Sequence, residues 1–192
     1  MPVPGAGMTI PLGTRPEWAA VILEHAVEER TAQRLIGQLV AVEVSSLAFC
    51  RLLERWARGE PEPSTAGRRQ AALRHAADRV ETALTGLERP LGQYLLELEA
   101  DEAEGRSWFG EPGPAELVDW APVLDRAGVK VAPHRVAQVY LELAVLVRAL
   151  EGLSATVRWQ STIDARSLWA GLFDLRENLL GRALEDLRAI AA

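Results

Sequence analysis

A chain of 192 residues with 48% hydrophobic and 25% charged side chains is long enough to fill one core, too short for two, and too apolar to be disordered. Its formal net charge of −6 argues against a general nucleic-acid binder, because affinity for phosphate backbones comes from clustered cations. A single cysteine, Cys50, leaves no disulfide framework and no cysteine cluster for zinc or iron-sulfur, and sets the expectation of a reducing, cytoplasmic setting.

The first fourteen residues read as an irregular segment. They lack the basic start and apolar run of a signal peptide. From about 16 to 58 the chain is rich in Ala, Leu, Arg and Glu, and apolar side chains recur every three or four residues, which predicts a long helix. Its most apolar stretch, Leu35 to Cys50, is interrupted by Glu43 and is short for a bilayer, so it reads as a helix buried on several sides, with no membrane partner. Gly37, Ala41, Ser45 and Ala48 share one face, where another helix backbone can approach closely, while Ile36, Leu39, Val40, Leu47 and Cys50 lie opposite. Glu43 projects from among apolar neighbours and must find a partner or a proton.

Gly59-Glu60-Pro61-Glu62-Pro63 is too short a linker for anything but an antiparallel return, so a second helix over about 64 to 104 sets residue 64 opposite residue 57. By that register Glu43 lies level with residue 78, within reach of Arg74, His75 and Arg79, which makes Glu43, His75 and Arg79 a predicted buried polar group. The same register gathers nine acids at one end of the hairpin: Glu17, Glu24, Glu28, Glu29, Glu97, Glu99, Asp101, Glu102 and Glu104. Arg15, Arg30 and Arg106 oppose them. The other end collects Arg51, Arg55, Arg58, Arg68, Arg69, Arg74 and Arg79 against Glu54 and Asp78, with Glu60 and Glu62 in the linker. Charge on the second helix runs against its dipole, with Arg68 and Arg69 at its start and an acidic run at its finish. Arg55, Arg58, Arg68, Arg69 and Arg74, and Glu97, Asp101, Glu102 and Glu104, are therefore the candidate partner-binding residues.

Beyond the hairpin, three glycines and two prolines make 105 to 114 a loop pinned by Trp108 and Phe109. A short helix over about 115 to 126 is interrupted at Pro122 and ended by Gly128. Pro133 opens a fourth helix, to about 159, with the stripe Val136, Val139, Tyr140, Leu143, Val147, Leu150 and Leu153. Ser161 or Thr162 caps a last helix over about 163 to 190. The sum is an all-α fold, an up-down bundle of four long helices and one short one, forming a single domain over 15 to 192. Trp18, Trp56 and Trp159 close the helix ends.

Catalytic signatures are not found. There is no Glu-x-x-His pair of the kind carboxylate di-metal bundles use, no nucleophile elbow and no phosphate loop. His25 and His75 stand some twenty helical levels apart, about 30 Å, and cannot share an ion. No cofactor, metal or catalytic residue is expected. Twenty arginines against one lysine, Lys130, reflect a GC-rich, bacterial genome. The expected function is a non-enzymatic subunit acting by protein-protein interaction or self-association. The alternatives are a helical oxygenase or ligand-binding protein with Glu43 and a histidine in a core cavity, and a ribonucleoprotein subunit using the basic end on phosphates.

Overall fold

The computed structural model describes residues 15–60, 62–98, 108 and 118–192, so Glu99, Asp101, Glu102, Glu104 and Arg106 of the acidic end lie outside the described residues, as do the segment 1–14 and most of the loop expected over 105 to 114. Regular structure among the described residues is helical throughout. The helix expected over 16 to 58 is two: α1, Ala19–Glu24, and α2, Glu29–Ala57. Tertiary ties cause the break. Buried Tyr94 donates its hydroxyl to the Ile22 carbonyl at 2.7 Å, and His25 Nε2 lies 2.6 Å from the Ile163 carbonyl oxygen, so α1 is fastened to other parts of the bundle and leaves the axis of α2. Ala26-Val27-Glu28 contains no strong helix breaker, which is why periodicity alone runs through it.

α3, Ala66–Leu98, antiparallel to α2, starts two residues late because the Thr65 hydroxyl accepts from the Arg68 amide and closes the first turn. Pro90 sits inside it, leaving the Gly86 carbonyl without its helical N–H. The Gln38 side chain lies over Gly86, where a Cβ would stand 2.6 Å from its Oε1, while a Cβ at Gly37 would meet nothing within 4 Å.

α4, Trp120–Ala127, is not interrupted at Pro122, which occupies the first turn, where its missing N–H is not needed. Asp119 caps it and Gly128, at φ 68°, ends it in the left-handed region. α5, Pro133–Arg158, falls within a residue of expectation. The last helix is α6, Ala165–Leu175, and α7, Gly181–Ala191, joined by a single π turn, Arg176–Leu180. The widened turn keeps Leu175, Leu179, Leu180 and Ala183 all against the core. Its cap is Asp164, whose Oδ1 accepts from the Ser167 amide at 2.7 Å; neither Ser161 nor Thr162 serves.

Four long helices form a square in which α2 packs on α3 and α5, and α7 packs on the same two. Every neighbouring pair runs antiparallel, as in an up-down bundle. Tyr140 donates to Glu54 across α2 and α5, and Arg188 meets Glu81 across α3 and α7. Connectivity adds one feature. Arg69 Nε donates to the Ala127 carbonyl at 2.7 Å and the Lys130 amide to Gln70 at 2.8 Å, so after α3 the chain has returned the whole length of the bundle, about 50 Å, before α5 begins. α3 and α5 therefore run the same way on a diagonal, the arrangement of bundles with one long crossover. One contiguous apolar core draws on every helix.

Candidate docking surface

Glu43 does not meet α3. Its half-buried carboxylate faces α1 and α5, where Oε2 accepts from Trp18 Nε1 at 3.1 Å and Glu151 stands nearby. Burial pushes its pKa up, the indole N–H opposes that, and Glu151 adds to it. His75 and Arg79, expected to be buried beside it, are exposed, as is Arg74. The register carries the reason: Thr31 lies against Glu97 and Gln38 against Gly86, a few residues beyond the levels a tight turn at the linker would set, and the Glu43 side of the helix points away from α3 altogether. His25 is held against the Ile163 carbonyl and pins a loop. Among the described residues no group of three His, Cys, Asp or Glu could hold a metal ion.

This geometry fixes what Glu43 contributes. Glu43→Ala strands the indole N–H of Trp18, a residue 1% exposed, and is predicted to cost about 1–2 kcal/mol. Glu43→Gln keeps an acceptor and removes the charge facing Glu151, so thermal unfolding should place it at or above the parent chain. A loss in the glutamine variant equal to that in the alanine variant would contradict this.

A second carboxylate, not singled out from the sequence, lies in the seam between α5 and α7. Glu142 accepts from Gln138 at 2.8 Å through Oε1, while its buried Oε2 has no partner, and Asp186, paired with Arg135 at 2.9 Å, faces it together with Arg182. Burial, the larger cause, raises its pKa to about 7; Gln138 and Arg182 oppose the rise and Asp186 supports it. The signal in the sequence is a glutamate between Leu141 and Leu143 on an apolar helix. Between about pH 4.5 and 7 the unfolded chain gives up this proton and the folded chain keeps it, so stability falls with rising pH across that window. Discounted for solvent screening of a partly exposed group, Glu142→Gln is predicted to stabilise the fold by about 1 kcal/mol at pH 8 and to leave it unchanged near pH 4.5. Denaturant titrations at the two pH values check this.

The charged ends are less simple than the hairpin suggests. Arg69 is half-buried and holds two carbonyls, Ala127 at 2.7 Å and Pro63 at 2.9 Å, so its guanidinium clamps the fold. Arg58 pairs with Glu60 at 3.1 Å in a largely exposed bridge, while Arg51, Arg55, Arg68 and Arg74 are exposed. At the acidic end Glu97 is turned inward, accepting from Thr31 at 2.8 Å and Gln93 at 3.0 Å, and Glu17 pairs with Arg158 at 2.7 Å. Trp18 and Trp56 close helix ends as expected, Trp56 donating to the Glu62 carbonyl at 3.0 Å, but Trp159 is 82% exposed.

What the hairpin reading missed is the outer face of α2. By length and composition α2 is the one helix among the described residues apolar enough to cross a membrane, yet half of its most apolar window is buried in the bundle. Of the small-residue face only Ser45 is buried; Ala41, Val44 and Ala48 are exposed, Val44 to 52%, and Arg51, Arg55 and Arg58 continue the same stripe. Beside it a groove of about 540 Å³ between α2 and α5 has Leu47, Ala144 and Val147 on its walls and Trp120 and Tyr140 at one end, rings 4.7 Å apart. The buried Trp120 Nε1 has no hydrogen-bond partner. Stripe and groove together form a mixed surface, apolar in the middle and rimmed by arginines. No family model, characterised protein or solved structure matches this chain at a significant level.

Proposed function

We propose that this chain is a non-enzymatic helical-bundle subunit that acts by protein-protein interaction, as a structural or adaptor component of a larger assembly in the cytoplasm, and that the partner docks on the outer face of α2. One observation carries the reading: the one described helix long and apolar enough to cross a membrane leaves Ala41, Val44 and Ala48 in solvent, beside a largely apolar groove. Small side chains along a helix allow a second helix to approach closely, and an amphipathic helix laid in a groove is a common way to bury such a face. Arg51, Arg55 and Arg58 select a partner helix with acids at the end that meets them. Self-pairing is the weaker form of the same idea, since two copies laid antiparallel about Val44 bring Arg30 of one against Arg58 of the other.

Val44→Glu in the chromosomal copy of the protein tests it. The substitution is at an exposed position, so the purified variant should unfold at the same temperature as the parent, while the native complex should shrink on size-exclusion chromatography of host extracts. An unchanged elution position for the variant contradicts the proposal.

A further inference from the structure

We propose that the depression between the start of α2 and the second half of α3 binds the phosphoryl group of a small phosphate monoester through Arg30, Arg34 and Arg89. The depression has a volume of about 590 Å³, in the range of small-molecule sites, and its walls carry those three arginines with Glu28 as the opposing acid. All three arginines are exposed, and none is in an ion pair with another described residue. Arg30 and Arg34 stand one turn apart on α2, and like charges at that spacing destabilise a bare helix, so a bound anion would relieve that repulsion. Thr31 and Gln93 both donate to Glu97 Oε1, so this carboxylate of α3 is bonded to neutral donors and not to an arginine. The first turn of α2 opens on the same place. Its N-cap, Glu28, makes no side-chain capping bond, and the dipole of a 29-residue helix adds positive potential there against the charges of Glu28 and Glu29.

The chemistry favours a phosphoryl group over a carboxylate. Planar guanidinium forks from two helices can each bind a pair of oxygens on a tetrahedral dianion, whereas a carboxylate offers two oxygens and one charge. The net charge of −6 turns away long polyanions and tolerates a small ester. This site lies on the α3 side of α2 and does not depend on the docking face.

Calorimetric titration of glycerol 3-phosphate into the full chain at low ionic strength is the test. One-to-one saturable binding is expected, with inorganic phosphate competing and acetate at matched ionic strength failing to compete. Arg34→Gln with Arg89→Gln should keep the melting temperature and weaken binding at least about tenfold. Arg51→Gln with Arg55→Gln, the same loss of charge on the docking face, should leave it unchanged. If the first double variant folds poorly, Arg30→Gln alone must show the loss. Absence of saturable binding to the parent chain, an equal loss in the Arg51 and Arg55 variant, or tighter binding of a short oligo-dT strand than of glycerol 3-phosphate overturns the proposal.

Discussion

Arg69→Ala is expected to destabilise the bundle by on the order of 3 kcal/mol, far more than any other exposed-end arginine. The guanidinium bonds the Ala127 carbonyl at 2.7 Å and the Pro63 carbonyl at 2.9 Å, one at the close of α4 and one in the linker before α3. It therefore ties the turn of the hairpin to the point where the chain has come back along the bundle. Hydrogen bonds from a charged donor contribute about 1.5–3 kcal/mol each, and the half-buried carbonyl ends left behind have poor access to water. Lysine at this position should recover little, because a single ammonium cannot span both acceptors in the fixed geometry of the fork. Arg68→Ala, one residue away and exposed, should lie within about 0.5 kcal/mol of the parent. A stability-neutral charge reversal at the basic end is therefore expected of Arg68 with Arg74, both exposed, and not of any pair that includes Arg69.

Gly171→Ala should also destabilise, against the usual sign of the change. Within a helix, alanine in place of glycine ordinarily stabilises by about 1 kcal/mol. Here the indole of Trp108 lies directly on Gly171, where an added Cβ would overlap it, while Trp108 Nε1 donates to the Leu168 carbonyl at 3.3 Å. Either the ring leaves its seat or the backbone of α6 shifts, and overpacking of this kind costs about 1–3 kcal/mol. A double-mutant cycle isolates the contact. In a Trp108→Ala background the same Gly171→Ala change should become neutral or stabilising. Destabilisation of equal size in both backgrounds would place the cost elsewhere in the helix.

Both predictions concern contacts the sequence could not announce, and they mark where its legibility ends. Helix periodicity located α3, α5 and the last helix, because long amphipathic segments bury a continuous stripe whatever their neighbours do. It failed at 25–28, where the break is made by bonds from Tyr94 and to Ile163, residues distant in the chain. It failed at 176–180, where an extra residue per turn re-aims the stripe and leaves no compositional mark. Hairpin register was off by a few residues because the linker does not turn tightly. The larger error was of face: Glu43 lies on a side of α2 that does not meet α3, so its partner is Trp18 and not His75 or Arg79.

Charge reading is incomplete for a different reason. Formal charges summed along a hairpin do not say which ones are already committed, and Arg69 and Glu97 both turn out to bond inward. The apolarity of Leu35 to Cys50 predicts burial on several sides; only the packing shows that Ala41, Val44 and Ala48 remain outside. Small residues are ambiguous in this way, since they let a neighbour approach closely but do not say whether that neighbour belongs to the same chain.

The docking account stands or falls on what touches Val44. A photo-crosslinking side chain placed at position 44 in the native host should, on irradiation, join this chain to one protein partner in a discrete adduct, and the same side chain at Asn178, also exposed, on the π turn, should not. Adduct formation at 44 alone is the predicted result. Equal crosslinking at both positions, or none at 44, would contradict the claim that the outer face of α2 is where this bundle meets its partner.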